Sequence, residues 1–75
     1  MREELQLYLD ADPFVPFQIT MTGGQAYVVR NPGLVIVGRD VIYYAHPNSD
    51  HNSVLRLVQI VAIDTIGQAY VAEDA

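Results

Sequence analysis

Apolar residues first recur at helical spacing. Leu5, Tyr8 and Leu9 stand at i, i+3 and i+4, so residues 2–10 are expected to form one short helix with a single apolar stripe. Glu3 and Glu4 fall in its first turn, where carboxylates suit the positive end of the helix dipole. Asp12-Pro13 ends it, because the residue before a proline is pushed out of the α region. A helix this short is unstable alone and must pack on something. The next segment, Asp12-Pro13-Phe14-Val15-Pro16-Phe17, is an extended connector with two prolines fixing φ, and Phe14 and Phe17 are expected to anchor it to the core.

From Phe17 the period changes to two. Phe17, Ile19 and Met21 alternate with Gln18, Thr20 and Thr22, and residues 25–30 form a second run. Gly23-Gly24 between them reads as a two-residue hairpin turn with both glycines at positive φ. That register sets Met21 against Ala26 and Ile19 against Val28. Asn31-Pro32-Gly33 is a turn, with Pro presetting φ and Gly accepting positive φ. Residues 34–37, the tight turn Gly38-Arg39-Asp40 and residues 41–45 follow. Both strands are continuously apolar, the pattern of strands buried on two faces. After the polar loop 46–53, residues 54–58 and 62–66 finish the strand content, with a kink near Gln59-Ile60-Val61 where alternation breaks. An acidic tail, residues 68–75, ends in Glu73-Asp74 and is expected to fray. The whole predicts a single, mainly β domain: a short N-terminal helix, then five short strands in a strongly bent barrel over residues 17–66.

Composition adds a constraint on assembly. Of 75 residues 51% are hydrophobic and 17% charged, so the chain is expected to fold rather than stay disordered. A domain this short buries roughly 60% of its unfolded surface, which leaves a marginal core. With no Cys, disulfides, thiolate metal sites and Cys nucleophiles are excluded. The usual remaining stabiliser is association with another chain. The expected contact is the closing strand, because an open five-strand barrel leaves an edge with unpaired backbone groups. Ala62, Ile63, Asp64, Thr65 and Ile66, together with Val58, are the candidate interface, a stretch with neither Lys nor Pro to block pairing.

Charge narrows the partners. Four Arg (Arg2, Arg30, Arg39, Arg56) stand against nine carboxylates, a net charge of −5 with no Lys. Phosphate binding needs clustered cations, so nucleic acid is not expected as a partner. No apolar run approaches the roughly 20 residues of a membrane span. Met1-Arg2-Glu3-Glu4 lacks the cationic-then-apolar pattern of a signal peptide. A cytoplasmic protein without a membrane partner is the expectation.

The order of these pieces resembles the Sm-like fold, the small bent barrel of Sm proteins and of Hfq-type RNA chaperones. Ile19-Thr20-Met21-Thr22-Gly23-Gly24 looks like the family's first hairpin, and Ala62-Ile63-Asp64-Thr65-Ile66 like its closing strand. The likeness covers residues 17–66, and SH3-like barrels share its pieces. Hfq-type proteins hold RNA with a basic residue and a His just before the closing strand. The corresponding stretch here is Gln59-Ile60-Val61, and the Arg-Gly pair of eukaryotic-type Sm proteins is missing as well. The resemblance therefore implies fold and ring-like assembly rather than RNA binding. The chain is also similar to short uncharacterised bacterial proteins that open with a helix and an Asp-Pro-Phe-x-Pro-Phe connector.

Candidate chemistry is sparse. His46, Asp50 and His51 share one loop and are ordinary Zn²⁺ ligand types, but their spacing matches no known site, so no metal or cofactor is expected. Ser49 or Ser53 with His46 or His51 and Asp50 supplies the residue types of a hydrolase triad. A chain this small has little capacity to enclose a pocket, so no catalytic residue is assigned. Tyr27, Tyr43, Tyr44 and Tyr70 suit an interface or core better than base stacking. Arg30 and Arg56 are expected to pair with Asp64 or Asp40 as surface salt bridges. The resulting expectation is a non-enzymatic, self-assembling binding or scaffold module whose partner is itself, in a homo-oligomer such as a ring. An Hfq-type RNA-binding riboregulator stands second, and a hydrolase with an intersubunit site third.

Overall fold

A computed structural model describes residues 1–67; the expected tail 68–75, with Tyr70, lies outside the described residues. The chain is mainly β with a short N-terminal helix. Helix α1 (Arg2–Asp10) buries Leu5 and Leu9 and packs Tyr8 beside them, so the expected stripe is the face that meets the core. The helix stops where Ala11 turns extended, φ −60° and ψ 140°. The Asp12-Pro13 peptide is cis. Phe17 is fully buried, with the Tyr8 ring 5.3 Å and the Phe14 ring 5.9 Å away, both tilted. The connector is thus pinned by aromatic contacts between helix and sheet.

Six strands follow: β1 (Phe17–Met21), β2 (Ala26–Val29), β3 (Val35–Val37), β4 (Val41–Ala45), β5 (Asn52–Arg56) and β6 (Ile60–Thr65). They form two three-stranded antiparallel sheets, ordered β2-β1-β6 and β3-β4-β5. Among the described residues no strand pairing joins the two sheets, so they do not close into one barrel. One hydrophobic core unites them: Ile19, Met21, Val29 and Ile60 from the first sheet meet Val35, Ile42, Tyr44 and Leu55 from the second. No described helix is long and apolar enough to cross a membrane.

Four expectations need correction. The strand count is six, not five, because the kink expected near residues 59–61 is a 3-10 turn over Leu57–Gln59. It separates β5 from β6 and places them in different sheets.

The first hairpin turn is longer than Gly23-Gly24. Gly24 N–H donates to the Met21 carbonyl (2.9 Å), and Met21 N–H donates to the Gln25 carbonyl (2.8 Å). The loop is therefore Thr22-Gly23-Gly24, and only Gly24 has positive φ, at +94°. This is a turn closed by a left-handed glycine bulge. The extra loop residue shifts the register by one, so Ile19 faces Tyr27 and Thr20 faces Ala26. A one-residue shift exchanges the two faces of a strand, which is why Val29 and Tyr27, not Val28 and Ala26, turn inward.

The strands at residues 34–37 and 41–45 are not covered on both faces. Val35, Ile42 and Tyr44 are buried, whereas Ile36 and Tyr43 are 68% and 49% exposed. With one helix, packed at the inner side, nothing among the described residues covers the outer face.

The expected salt bridges are also absent. Among the described residues the only ion pair joins the Met1 ammonium to Glu4, at 3.0 Å. Arg56 sits opposite Val41 in one sheet while Asp64 sits opposite Gln18 in the other. Asp40 lies beside Arg56, where its carbonyl accepts from the Leu57 N–H at 3.0 Å, yet the two side chains form no ion pair.

Candidate functional site

Three surfaces are candidate sites, and the sequence pointed to the first and the third. The first lies where the sheets approach each other at β2, β4 and β5. Alternation in β4 turns Tyr44 inward, and its hydroxyl donates to the Val28 carbonyl on β2 at 2.6 Å. That bond ties a backbone group of one sheet to a side chain of the other. The Tyr27 ring meets Tyr44 edge-on at 5.4 Å, and the His46 ring stands perpendicular to Tyr44 at 4.9 Å. His46 Nε2 lies 2.7 Å from Ser53 Oγ. The triad types therefore converge in part: Ser53 and His46 meet, while His51 contacts Ser49 only through its backbone N–H (3.0 Å). His46, Asp50 and His51 do not gather, and among the described residues no three His, Asp or Glu side chains form a metal-ligand set. No carboxylate orients the His46 ring among the hydrogen bonds of the described residues, so the pair works as a polar clasp between β4 and β5.

Burial pushes the Tyr44 hydroxyl above the ordinary phenol pKa of 10.0, with Arg30 opposing and Tyr27 reinforcing the rise. The sign follows from linkage. A pKa raised in the folded state contributes stability that is complete below pH 10 and is lost as pH rises through the folded value. We expect Tyr44→Phe to cost about 1–3 kcal/mol near neutral pH, because it leaves the Val28 carbonyl without its donor. Melting temperatures at about pH 8 and about pH 11 should show the gap between native protein and variant narrowing at the higher pH. A gap that stays constant would separate Tyr44 from the alkaline loss.

The second surface is a groove of about 440 Å³ between the first hairpin and β5. Its floor is Met21, Tyr27 and Leu55, and its rim carries Gln25, Gln59 and Arg56. The walls are fastened together: Thr22 donates to the Gln59 carbonyl through both its N–H (2.8 Å) and its Oγ1 (3.0 Å). Sequence reasoning missed this groove, because its walls come from the turn 22–25 and from β5, far apart in the chain. A second groove of about 470 Å³ brings Arg2 and Arg39 together, but Glu3 and Asp40 share its lining.

The third surface is the edge and outer face expected to mediate assembly. β6 pairs with β1 on one side and, among the described residues, is the outermost strand of its sheet. Ala62 and Ile63 are half-buried, Asp64, Thr65 and Ile66 are exposed, and Val58 is 88% exposed at the tip of the preceding turn. Ile66 lies past the strand end, with its N–H donating to the Pro16 carbonyl at 3.0 Å. A bulge breaks the register: Thr20 faces Ala62 but Met21 faces Ile60, leaving Val61 extra and 60% exposed. On the other sheet, Ile36, Tyr43 and Val54 lie side by side across β3, β4 and β5, an exposed apolar ladder three strands wide. Comparison with family models, with curated proteins and with solved structures finds no match to this chain.

Proposed function

We propose that this chain is a non-enzymatic, self-assembling small barrel of Sm-like or SH3-like type that acts as a binding or scaffold module. Two three-stranded sheets around one core, with a 3-10 turn carrying the chain from β5 to β6 beside β1, support a strongly bent, partly open barrel. β2 and β3 lie in different sheets and are joined only by the short turn through Pro32–Leu34. Counted as two halves of one bent strand, they bring the six strands to the five of that pattern. The module works in the cytoplasm and takes a second copy of itself as partner.

The observation that carries assembly is the side of β6 that pairs with no strand among the described residues, flanked by exposed Val58 and Val61. A strand edge without Lys, Pro or cover is a template for pairing with another chain. The uncovered ladder Ile36–Tyr43–Val54 supplies apolar surface of the kind that interfaces bury. Head-to-tail pairing through β6 gives a heterologous contact, which closes into a ring or runs on as a filament. The groove that brings Arg2 and Arg39 together also carries Glu3 and Asp40, and Arg56 is the one Arg lining the groove beside β5, so the Hfq-type reading gains no cationic groove.

Light scattering coupled to size exclusion should give several times 8.3 kDa, largely independent of concentration. The double variant Val58→Lys/Val61→Lys places edge-blocking charges at exposed positions and should shift the mass toward 8.3 kDa with its circular dichroism unchanged. A native protein that is already a folded monomer at high micromolar concentration would sink the reading.

A further inference from the structure

We propose that the groove beside β5 binds an extended peptide, which adds as a strand to the free edge of β5 and sets a carboxylate against Arg56. The inference rests on the binding-module reading above and gives that module a ligand class. Three consecutive residues of β5, Val54, Leu55 and Arg56, line the groove. Successive strand residues point to opposite faces, so a cavity touching all three runs along the strand's edge rather than over one face. Among the described residues that edge is unpaired, because β5 bonds only to β4 and is outermost in its sheet. Its free N–H and C=O groups are therefore presented to whatever enters. Strand addition of this kind draws affinity from main-chain hydrogen bonds and specificity from pockets for alternate side chains. Met21, Tyr27 and Leu55 make an apolar floor for such a side chain, and Gln25 and Gln59 offer amide donors and acceptors at the rim.

Charge selects the ligand. The chain carries nine carboxylates against four Arg, yet among the described residues no Asp or Glu lines this groove and Arg56 does. Arg56 has no carboxylate partner among the described residues, so its five donors are open. The Arg2–Arg39 groove differs on this point, since Glu3 and Asp40 already offer anions there. A planar guanidinium at the end of a strand edge suits a carboxylate at the end of a strand, from a chain terminus or an acidic side chain. The Thr22–Gln59 hydrogen bonds hold hairpin and turn together beside the groove.

The test uses the full chain and three fluorescent eight-residue peptides of alternating Thr and Val: one with a free C-terminal carboxylate, one amidated, and one with a central Pro. Anisotropy titrations should place the free acid at least tenfold tighter than the amide, with the Pro peptide weaker still. Arg56→Gln should bring the acid to the level of the amide while leaving the amide's affinity as it was. Amide NMR signals of Leu55, Arg56 and Gln25 should move on binding, and those of β6 should not. Equal affinity for all three peptides, or no binding at about 1 mM, would overturn the proposal. So would β5 amides already protected from exchange in the absence of peptide, which would place a second copy of the chain in the groove. Assembly is read separately by light scattering, so loss of the peptide site and loss of the self-assembly reading are distinguishable.

Discussion

Phe17→Ala should abolish the cooperative thermal transition. Phe17 is fully buried at the point where helix, connector and first sheet meet, with Tyr8 and Phe14 against its ring. Truncating a buried Phe to Ala costs about 3–5 kcal/mol, from lost transfer energy plus the cavity left behind. A single core in a domain of this size supplies only about 3–5 kcal/mol in total, so one truncation takes most of it. The site cannot collapse easily, because the prolines on either side of Val15 stiffen the connector and Ile19 is held in the same strand. Circular dichroism melts should show a broad, non-cooperative slope for Phe17→Ala and a sharp transition for Phe17→Leu. A cooperative melt within a few degrees of the native protein would mean that the core is organised elsewhere.

The helix and the connector were legible because their signals are local: an i, i+3, i+4 stripe, a stop at Asp12-Pro13, and two Phe in a proline-fixed segment. The first strand was legible for the same reason, with its three-fold alternation Phe17, Ile19, Met21. What failed needed information that periodicity does not carry. Whether Thr22 belongs to the strand or to the loop decides the register of β2, and two adjacent glycines permit either answer. Runs such as 34–37 and 41–45 are apolar at every position, so nothing in them says that Ile36 and Tyr43 face outward. That fact depends on the supply of covering elements, which is a property of the whole fold. The candidate sites divide along the same line. The His46–Ser53 contact spans seven residues and one hairpin, and the loop's composition hinted at it. The β5 groove joins residues 21–27 to 54–59, and only the placement of the two sheets brings them together.

Gly24→Val should lower the melting temperature by about 10 °C or more, whereas Gly23→Ala should leave it within a few degrees. The two glycines are adjacent, yet they differ in kind. At Gly24 there is open space around a Cβ, with nothing within 4 Å, but φ is +94°. The cost there is conformational: an L-residue in the left-handed region loses about 1–2 kcal/mol, and a β-branched side chain is a genuine outlier. Gly23 shows the opposite balance. Its φ is not positive, and the nearest atom to an added Cβ is the end of the Gln25 side chain, at 2.7 Å. Gln25 is exposed, so its amide can swing away at little cost. For a domain of 60–100 residues each kcal/mol shifts the midpoint by about 4–8 °C, which separates the two variants cleanly. The register gives a second reading of the same substitution. If Val at position 24 forces the loop back to two residues, β2 slips by one and Val29 leaves the core. Hydrogen exchange at the Met21 amide, whose N–H bonds to the Gln25 carbonyl, should then rise ahead of global unfolding. Equal melting temperatures for the two variants would place the left-handed residue, and with it the hairpin register, somewhere other than Gly24.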